Sequence, residues 1–248
     1  MLKDDARRRY ARHLVLPEIG ASGQETLLAS RVLVVGCGGL GSVAAGYLAA
    51  MGLGTLGLMD ADRVELSNLQ RQILFEIADI GQTKVAAAKA RLEEINPDVK
   101  IISYVERFGV ENANVIISNY DVVVDATDNF ASRVALHDAC MHAKRPLIYA
   151  AISGFEAMLT TFKSYLGAPH PCLHCFMPEL PERENTCAQE GIVGALAGMV
   201  GSMQALEVVK ELLGIGASLS GKILRYDALS GQIKSASMIR DAVCKYCA

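Results

Sequence analysis

The chain has 248 residues, 51% of them hydrophobic, and a formal net charge of −3. That length suits one large domain or two small ones with a sizeable core, and the balance of charge excludes nucleic acid or an anionic membrane as a partner recognised through bulk charge. Seven cysteines are an odd number for a disulfide framework. The opening Met1-Leu2-Lys3-Asp4-Asp5 has no secretory-leader pattern, so a reducing, cytoplasmic setting is expected.

Residues 4–14 and 24–30 carry helical patterns. The first bears Arg7, Arg8, Arg9 and Arg12, a cluster that reads equally as a solvated helix face or as part of a site. Residues 32–59 contain no charged side chain, a stretch longer than the roughly 20 residues a membrane span needs. Eight glycines interrupt it, at 36, 38, 39, 41, 46, 52, 54 and 57. The apolar runs at 32–35 and 56–59 therefore read as buried strands, with a small-residue helix at 40–51 between them. After a polar loop, 83–95 is a helix stopped by Asn96-Pro97. Then follow a strand at 99–104, a helix at 111–118, a strand at 121–125, a helix at 130–143 and a strand at 147–151. This alternation predicts a Rossmann-like, mostly parallel α/β sheet with helices on both faces.

Beyond Gly154 the texture changes. Residues 155–165 have strand character, 168–181 are Pro-rich, 182–186 form a polar loop, and 191–213 read as a long apolar helix. Residues 222–239 suggest a hairpin turning at Leu229-Ser230-Gly231. The expectation is one sheet extended by C-terminal antiparallel strands: N-terminal helices over 1–30, a nucleotide-binding half over 31–153 and a second half over 154–248.

Two patterns carry chemistry. Gly36-Cys37-Gly38-Gly39-Leu40-Gly41 follows a strand and opens a helix, with Asp60 at the end of the next strand. Glycines let backbone approach a phosphate, the helix N-terminus favours its charge, and a carboxylate can accept from ribose hydroxyls. Alone, this turn favours NAD. Cys172-x-x-Cys175 and Cys244-x-x-Cys247 supply four thiolates, enough for one tetrahedral Zn²⁺. His174, inside the first pair, reads as exposed and is not needed as a ligand. Cys37 and Cys140 read as small packing residues.

A longer pattern displaces the NAD reading. It comprises Asp60-Ala61-Asp62-Arg63-Val64-Glu65-Leu66-Ser67-Asn68-Leu69-Gln70-Arg71-Gln72, then Gly81-Gln82-Thr83-Lys84, then Asp125-Ala126-Thr127-Asp128-Asn129. With the glycine turn, it closely resembles the ubiquitin-activating-enzyme-like adenylyltransferases, and among them the molybdopterin-synthase adenylyltransferase, ThiF and HesA group. The resemblance runs from Arg9-Tyr10-x-Arg12 to the last cysteine pair.

That resemblance implies adenylation of the C-terminal Gly-Gly carboxylate of a small ubiquitin-like sulfur-carrier protein, with release of pyrophosphate. A MoaD-like carrier of molybdopterin synthesis is favoured; a ThiS-like carrier of thiamine synthesis is the alternative. An NAD-dependent oxidoreductase and a non-catalytic carrier-binding module are more distant readings. The implied cofactors are ATP, Mg²⁺ and Zn²⁺.

By the same carry-over, Arg71 and Lys84 are cations for the triphosphate, and Arg12 reaches the ATP of a neighbouring subunit in a homodimer. The ATP site takes in Gly36, Gly38, Gly39, Gly41, Asp60, Asp62, Ser67, Asn68, Leu69, Gln70, Gln72 and Asn129. Asp128 holds the Mg²⁺, with helix capping as its bland alternative. Arg133 falls at a family arginine position, with a surface salt bridge an equal reading. Cys187 matches a cysteine that some relatives use in sulfur transfer. Sulfur would come from a separate sulfurtransferase. Ala157-Met158 stands where many relatives carry Gly-Gln, near the expected groove for the carrier tail.

Overall fold

The computed structural model describes residues 2–178 and 191–247. Five strands begin the chain's sheet: β1 (Arg31–Val35), β2 (Thr55–Met59), β3 (Lys100–Tyr104), β4 (Val122–Asp125) and β5 (Leu147–Ser153). They are followed by β6 (Glu156–Phe162), β7 (Lys222–Asp227) and β8 (Gln232–Ser237). Among the described residues they form one eight-stranded sheet in the order β3-β2-β1-β4-β5-β6-β7-β8. Pairing is parallel from β3 through β5 and antiparallel from β5 through β8. The expected parallel core with C-terminal antiparallel strands is therefore the observed architecture.

Helices α1 (Asp4–Arg9), α2 (Ala11–Leu14) and α3 (Gly20–Ala29) precede the sheet. Those that follow are α4 (Gly39–Ala50), α5 (Lys84–Ile95), α6 (Val110–Ile117), α7 (Phe130–His142), α8 (Leu173–Phe176) and α9 (Gly194–Leu213). The two-residue period of β1 sorts its side chains between two cores. Val32 and Val34 pack with residues of α4, α5 and α9, while Leu33 and Val35 pack with residues of α6 and α7. A strand buried on both faces must be apolar at every position, which is why the run at 32–35 carries no polar alternation. Among the described residues no helix is long and apolar enough to cross a membrane.

The departures from the sequence reading have local causes. The helix expected over 4–14 is broken at Tyr10 (φ −97°, ψ 17°). Its ring is 3% exposed, and its hydroxyl accepts from Asn96 Nδ2 at 2.9 Å. Burying that aromatic ring, worth about 1.5–3 kcal/mol, outweighs the few helical hydrogen bonds lost. Gly52, at φ +82°, lies against the ring, where a Cβ would overlap the hydroxyl. The helix expected from 191 starts instead at Gly194, because Ile192 bridges to Gly154 and Gly191 accepts from the Gly154 N–H. Strand β6 ends at Phe162, with a short 3₁₀ turn (Ser164–Leu166) in place of its expected last residues. The hairpin turn stands where the sequence put it: Asp227 Oδ1 accepts from the N–H groups of Leu229 and Ser230.

Candidate active site

Strand β1 lies between β2 and β4: the chain builds β2 and β3 on one side of it, then crosses back to lay β4 on the other. Such a reversal opens a crevice beyond the carboxyl ends of the strands. Here it is a cleft of about 630 Å³ whose walls include Gly36, Gly38, Gly39, Asp60, Asp62, Asn68, Arg71, Gln72, Lys84, Asp128 and Asn129.

The glycine turn is required by space. Gly36 sits at φ +94°, a Cβ there would overlap the Ala126 carbonyl oxygen, and a Cβ at Gly41 would overlap the carbonyl oxygen of Gly36 itself. Gly41 thus shapes the turn without lining the cleft. The turn delivers the chain into the N-terminus of α4, twelve residues long, whose N–H groups and dipole favour an anion.

Asp60 anchors the turn. Its Oδ2 accepts from Cys37 N–H at 2.7 Å, and its Oδ1 accepts from Asp62 N–H at 2.8 Å. Lys84 opens α5, donating from Nζ to Asp62 Oδ2 at 2.9 Å, and lies 4.0 Å from Asp60 Oδ2. Burial and the Asp60 carboxylate push the neighbouring Cys37 thiol well up. It is a packing group held in its neutral form, as are the buried Cys140 and its raised thiol.

The loop after β2 is held by internal bonds. Asn68 Oδ1 accepts from Glu65 N–H, and the Asn68 carbonyl accepts from the N–H groups of Arg71 and Gln72. Arg71 rests a guanidinium nitrogen 3.0 Å from the Ser67 carbonyl. Gln72 is 2% exposed, and its Oε1 is buried without a hydrogen-bond partner among the described residues. Ser67, Leu69 and Gln70 do not line the cleft; Leu69 packs against the core, and the Gln70 carbonyl lies where a Cβ at Gly194 would stand. Arg12 is exposed on α2 and also stands outside the cleft.

Helix α7 borders the far wall. Its cap is Asn129, whose side chain accepts from Ser132 N–H. The capping role considered for Asp128 therefore belongs to its neighbour. Asp128 is exposed and lines the cleft, and its side chain makes no hydrogen bond or ion pair among the described residues. Arg133 departs from the surface salt bridge considered for it. It is 6% exposed, donates to the carbonyls of Thr127 at 2.7 Å and Ala150 at 3.0 Å, and lies over the Tyr149 ring. It joins the last turn before Asp128 to strand β5. Glu106, Arg107, Phe108, Ile152 and Ile192 also wall the cleft. They belong to no motif, and the only sign of the first three is their place just past the carboxyl end of β3.

The four paired cysteines converge. Cys172 Sγ lies 3.6 Å from both Cys175 Sγ and Cys244 Sγ, and Cys175 Sγ lies 3.5 Å from Cys247 Sγ. Four thiolates about 2.3 Å from a tetrahedral Zn²⁺ stand roughly 3.7 Å apart, so the donor set fits zinc. Burial raises the Cys244 thiol, but the N–H groups of Tyr246 and Cys247 and the Cys172 thiol more than offset it, holding it at about 7. Contrary to expectation, His174 is buried at 6% exposure: its ring stacks on Tyr246, and Nε2 lies 3.2 Å from Asp138 Oδ1. It is still not a fifth ligand of the cysteine cluster. Cys187 and the polar loop 182–186 lie outside the described residues.

The sheet order, the glycine turn and a cleft lined by both basic and acidic side chains define an α/β fold of the nucleotide-binding type, with a cysteine cluster whose geometry suits a structural metal. The whole sequence narrows this further. The ThiF family model matches residues 10–246, and the chain belongs to that family. "Adenylyltransferase and sulfurtransferase MOCS3" of Bos taurus is 47% identical over 92% of this chain, which spans 50% of that protein. "Sulfur carrier protein adenylyltransferase" of Thermus thermophilus is 41% identical over 96% of this chain and 90% of its own length. "Probable molybdopterin-synthase adenylyltransferase" of Porphyra purpurea is 43% identical over 90% of this chain and 58% of that protein. Among solved structures, E. coli MccB superposes with a TM-score of 0.84 at 22% identity, covering 97% of this chain and 75% of its own, a likeness of fold.

Proposed function

We propose that this chain is an adenylyltransferase that uses ATP to activate the C-terminal carboxylate of a small ubiquitin-like sulfur-carrier protein. A MoaD-like carrier of molybdopterin synthesis is the first candidate and a ThiS-like carrier the second. The observation that carries the reading is the meeting of Lys84, Arg71 and Asp128 with the glycine turn in one cleft. The names of the relatives support the substrate class, above all the Thermus thermophilus protein, which this chain matches over 90% of its length.

In the reaction, a carboxylate oxygen of the carrier attacks the α-phosphorus of ATP. The new acyl–phosphate bond forms as the bond from the α-phosphorus to the bridging oxygen breaks, and pyrophosphate leaves with that electron pair. Attack by an anion on an anion is slow unless positive charge is fixed where negative charge gathers. Lys84 and the N–H groups of α4 answer that need at the phosphates, and Arg71 can swing from the Ser67 carbonyl to the departing pyrophosphate. Asp128 and its surroundings suit a Mg²⁺ escorting the triphosphate, which would supply charge neutralisation when bound. The cleft confines both reactants, lowering the entropy cost of their encounter.

Hydride transfer with NAD is disfavoured because it gives no account of Asn68, Arg71 and Lys84 gathered with the glycine turn in one cleft, nor of the paired cysteines. The proposal extends to a homodimer in which Arg12 completes the neighbouring subunit's site, with a separate sulfurtransferase supplying sulfur. ATP–pyrophosphate exchange measured with candidate carriers ending in Gly-Gly tests it: exchange with one carrier names the partner. Tight carrier binding without exchange would replace the enzyme reading with that of a binding module. Mixing Arg12→Ala and Lys84→Ala chains tests the dimer, since restored exchange requires sites shared between subunits.

A further inference from the structure

Beside the cysteine cluster lies a second group, His137, Asp138 and His174, whose ligand atoms are close enough together to suggest another metal. The hydrogen-bond directions argue otherwise. The Leu173 N–H donates to His137 Nε2 at 3.1 Å, so that nitrogen presents its lone pair to the peptide. The ring proton is then on Nδ1, which faces Asp138 Oδ1 at 2.9 Å. Asp138 Oδ1 also faces His174 Nε2 at 3.2 Å. Two N–H groups converge on one carboxylate oxygen, and no lone pair of His137 is left for a cation.

What the group joins is more informative. Leu173 and His174 are the two residues inside the first cysteine pair, and Tyr246 lies inside the second. The His174 and Tyr246 rings stack with centroids 3.6 Å apart and planes 10° apart. Asp138 and His137 belong to the middle of α7, about one turn beyond Arg133, and both Arg133 and the Asn129 cap line the cleft. His137 is 1% exposed and wedged edge-on against Phe162, so its position is fixed by the core.

We infer that Asp138 is a positioning residue that fixes the four-cysteine cluster to helix α7, holding both cysteine pairs through His137–Leu173 and through His174–Tyr246. The cluster thus ties the C-terminal segment to the helix that borders the cleft as well as to the first cysteine pair. Groups that orient metal ligands from outside the ligand set typically alter metal affinity about 10- to 100-fold when removed. The inference rests on zinc filling the cluster.

The test follows zinc release from the full chain into excess 4-(2-pyridylazo)resorcinol, read by absorbance, after metal analysis of the unmutated protein. Asp138→Ala is expected to release zinc about 10- to 100-fold faster. His174→Phe, which keeps a ring on Tyr246 but removes the N–H to Asp138, should fall between the two. Leu92→Ala, a core truncation on the other face of the sheet, controls for general destabilisation and should leave the release rate unchanged. With Co²⁺ in place of zinc, the visible bands of Asp138→Ala should shift or weaken, reporting altered ligand geometry.

Release from Asp138→Ala within twofold of the unmutated rate, or release from Leu92→Ala as fast as from Asp138→Ala, overturns the role of Asp138 and leaves the zinc reading intact. Unmutated protein that carries no zinc overturns the zinc reading itself. Hydrogen exchange gives a readout independent of any variant: stripping zinc should raise exchange over residues 136–142 of α7 and not over α5. Unchanged α7 exchange would sever the link.

Discussion

Lys84 donates to Asp62 Oδ2 at 2.9 Å with its side chain only 8% exposed. The ammonium is thus held in the wall of the cleft, already partly neutralised, and a phosphate bound there would compete with Asp62 for it. The two partners should behave unequally. Lys84→Ala removes the cation and is expected to slow carrier-dependent ATP–pyrophosphate exchange about 100- to 1000-fold, the loss typical of one well-placed electrostatic group. Asp62→Asn leaves the ammonium in place and should cost less than about tenfold in the same assay. Equal losses in the two variants would make the pair a structural unit.

Gly41 and Gly46 lie on one helix yet face opposite constraints. A Cβ at Gly41 would overlap the Gly36 carbonyl oxygen, whereas a Cβ at Gly46 meets nothing within 4 Å. Gly46→Ala should stabilise the protein by about 0.5–1 kcal/mol through helix propensity alone. Gly41→Ala should destabilise it by more than about 2 kcal/mol, because backbone must move to make room. Urea midpoints of the two variants give the comparison.

Arg133 works as a tie between two carbonyls. Arg133→Met keeps much of the packing but leaves the Thr127 and Ala150 carbonyls without this donor, at an expected cost of about 2–4 kcal/mol. Arg133→Lys, a single ammonium without a planar fork, should recover less than half of that loss. Exchange activity should fall with it, because the segment that ends at Asp128 loses its anchor to β5. A lysine variant as stable as the parent would remove the fork geometry from the account.

Asp125 is the site of a pH effect. Burial raises its carboxyl above the usual 3.8, against the opposing influence of Arg133 and the Thr127 hydrogen bonds. Below 3.8 both the folded and unfolded chains are protonated there, and the group contributes nothing. As pH rises past that value the unfolded chain ionises first, so stability is lost until the folded-state value is passed, and the deficit persists above it. Asp125→Asn escapes this penalty while keeping an oxygen to accept from Thr127. Its advantage in urea midpoint over the parent should therefore grow between pH 4 and pH 7. An advantage unchanged over that range would mean that the carboxyl titrates normally.

The parallel half of the sheet was legible because its strands must be apolar on both faces and its glycine turn is dictated by overlap with backbone. The features missed share another origin. The break at Tyr10 depends on Asn96, far along the chain, while the local pattern remains helical. The burial of His174 depends on Asp138 from α7 and Tyr246 from the tail, neither of which a Cys-x-x-Cys motif specifies. For Arg133 a family position and a surface salt bridge are equal readings, and only the Ala150 carbonyl supplied by β5 separates the surface reading from the buried tie observed. In the cleft, motif residues supplied the glycine turn and most of the charged groups, whereas the walls formed by Arg107 and Phe108 come from a loop whose role is set only by where β3 ends.

Helix α9 bears on how the molecule can move. It packs against α3 and α4 and also against β4, β5 and β6, crossing the line where parallel pairing gives way to antiparallel. Its buried Gln204 donates to the Asp125 carbonyl at the end of β4. A hinge along that line would have to tear the helix from one side or the other. The two halves of the sheet are thus mechanically one piece, and a partner docking against the antiparallel strands would load the edge of the cleft through a rigid beam rather than swing it shut.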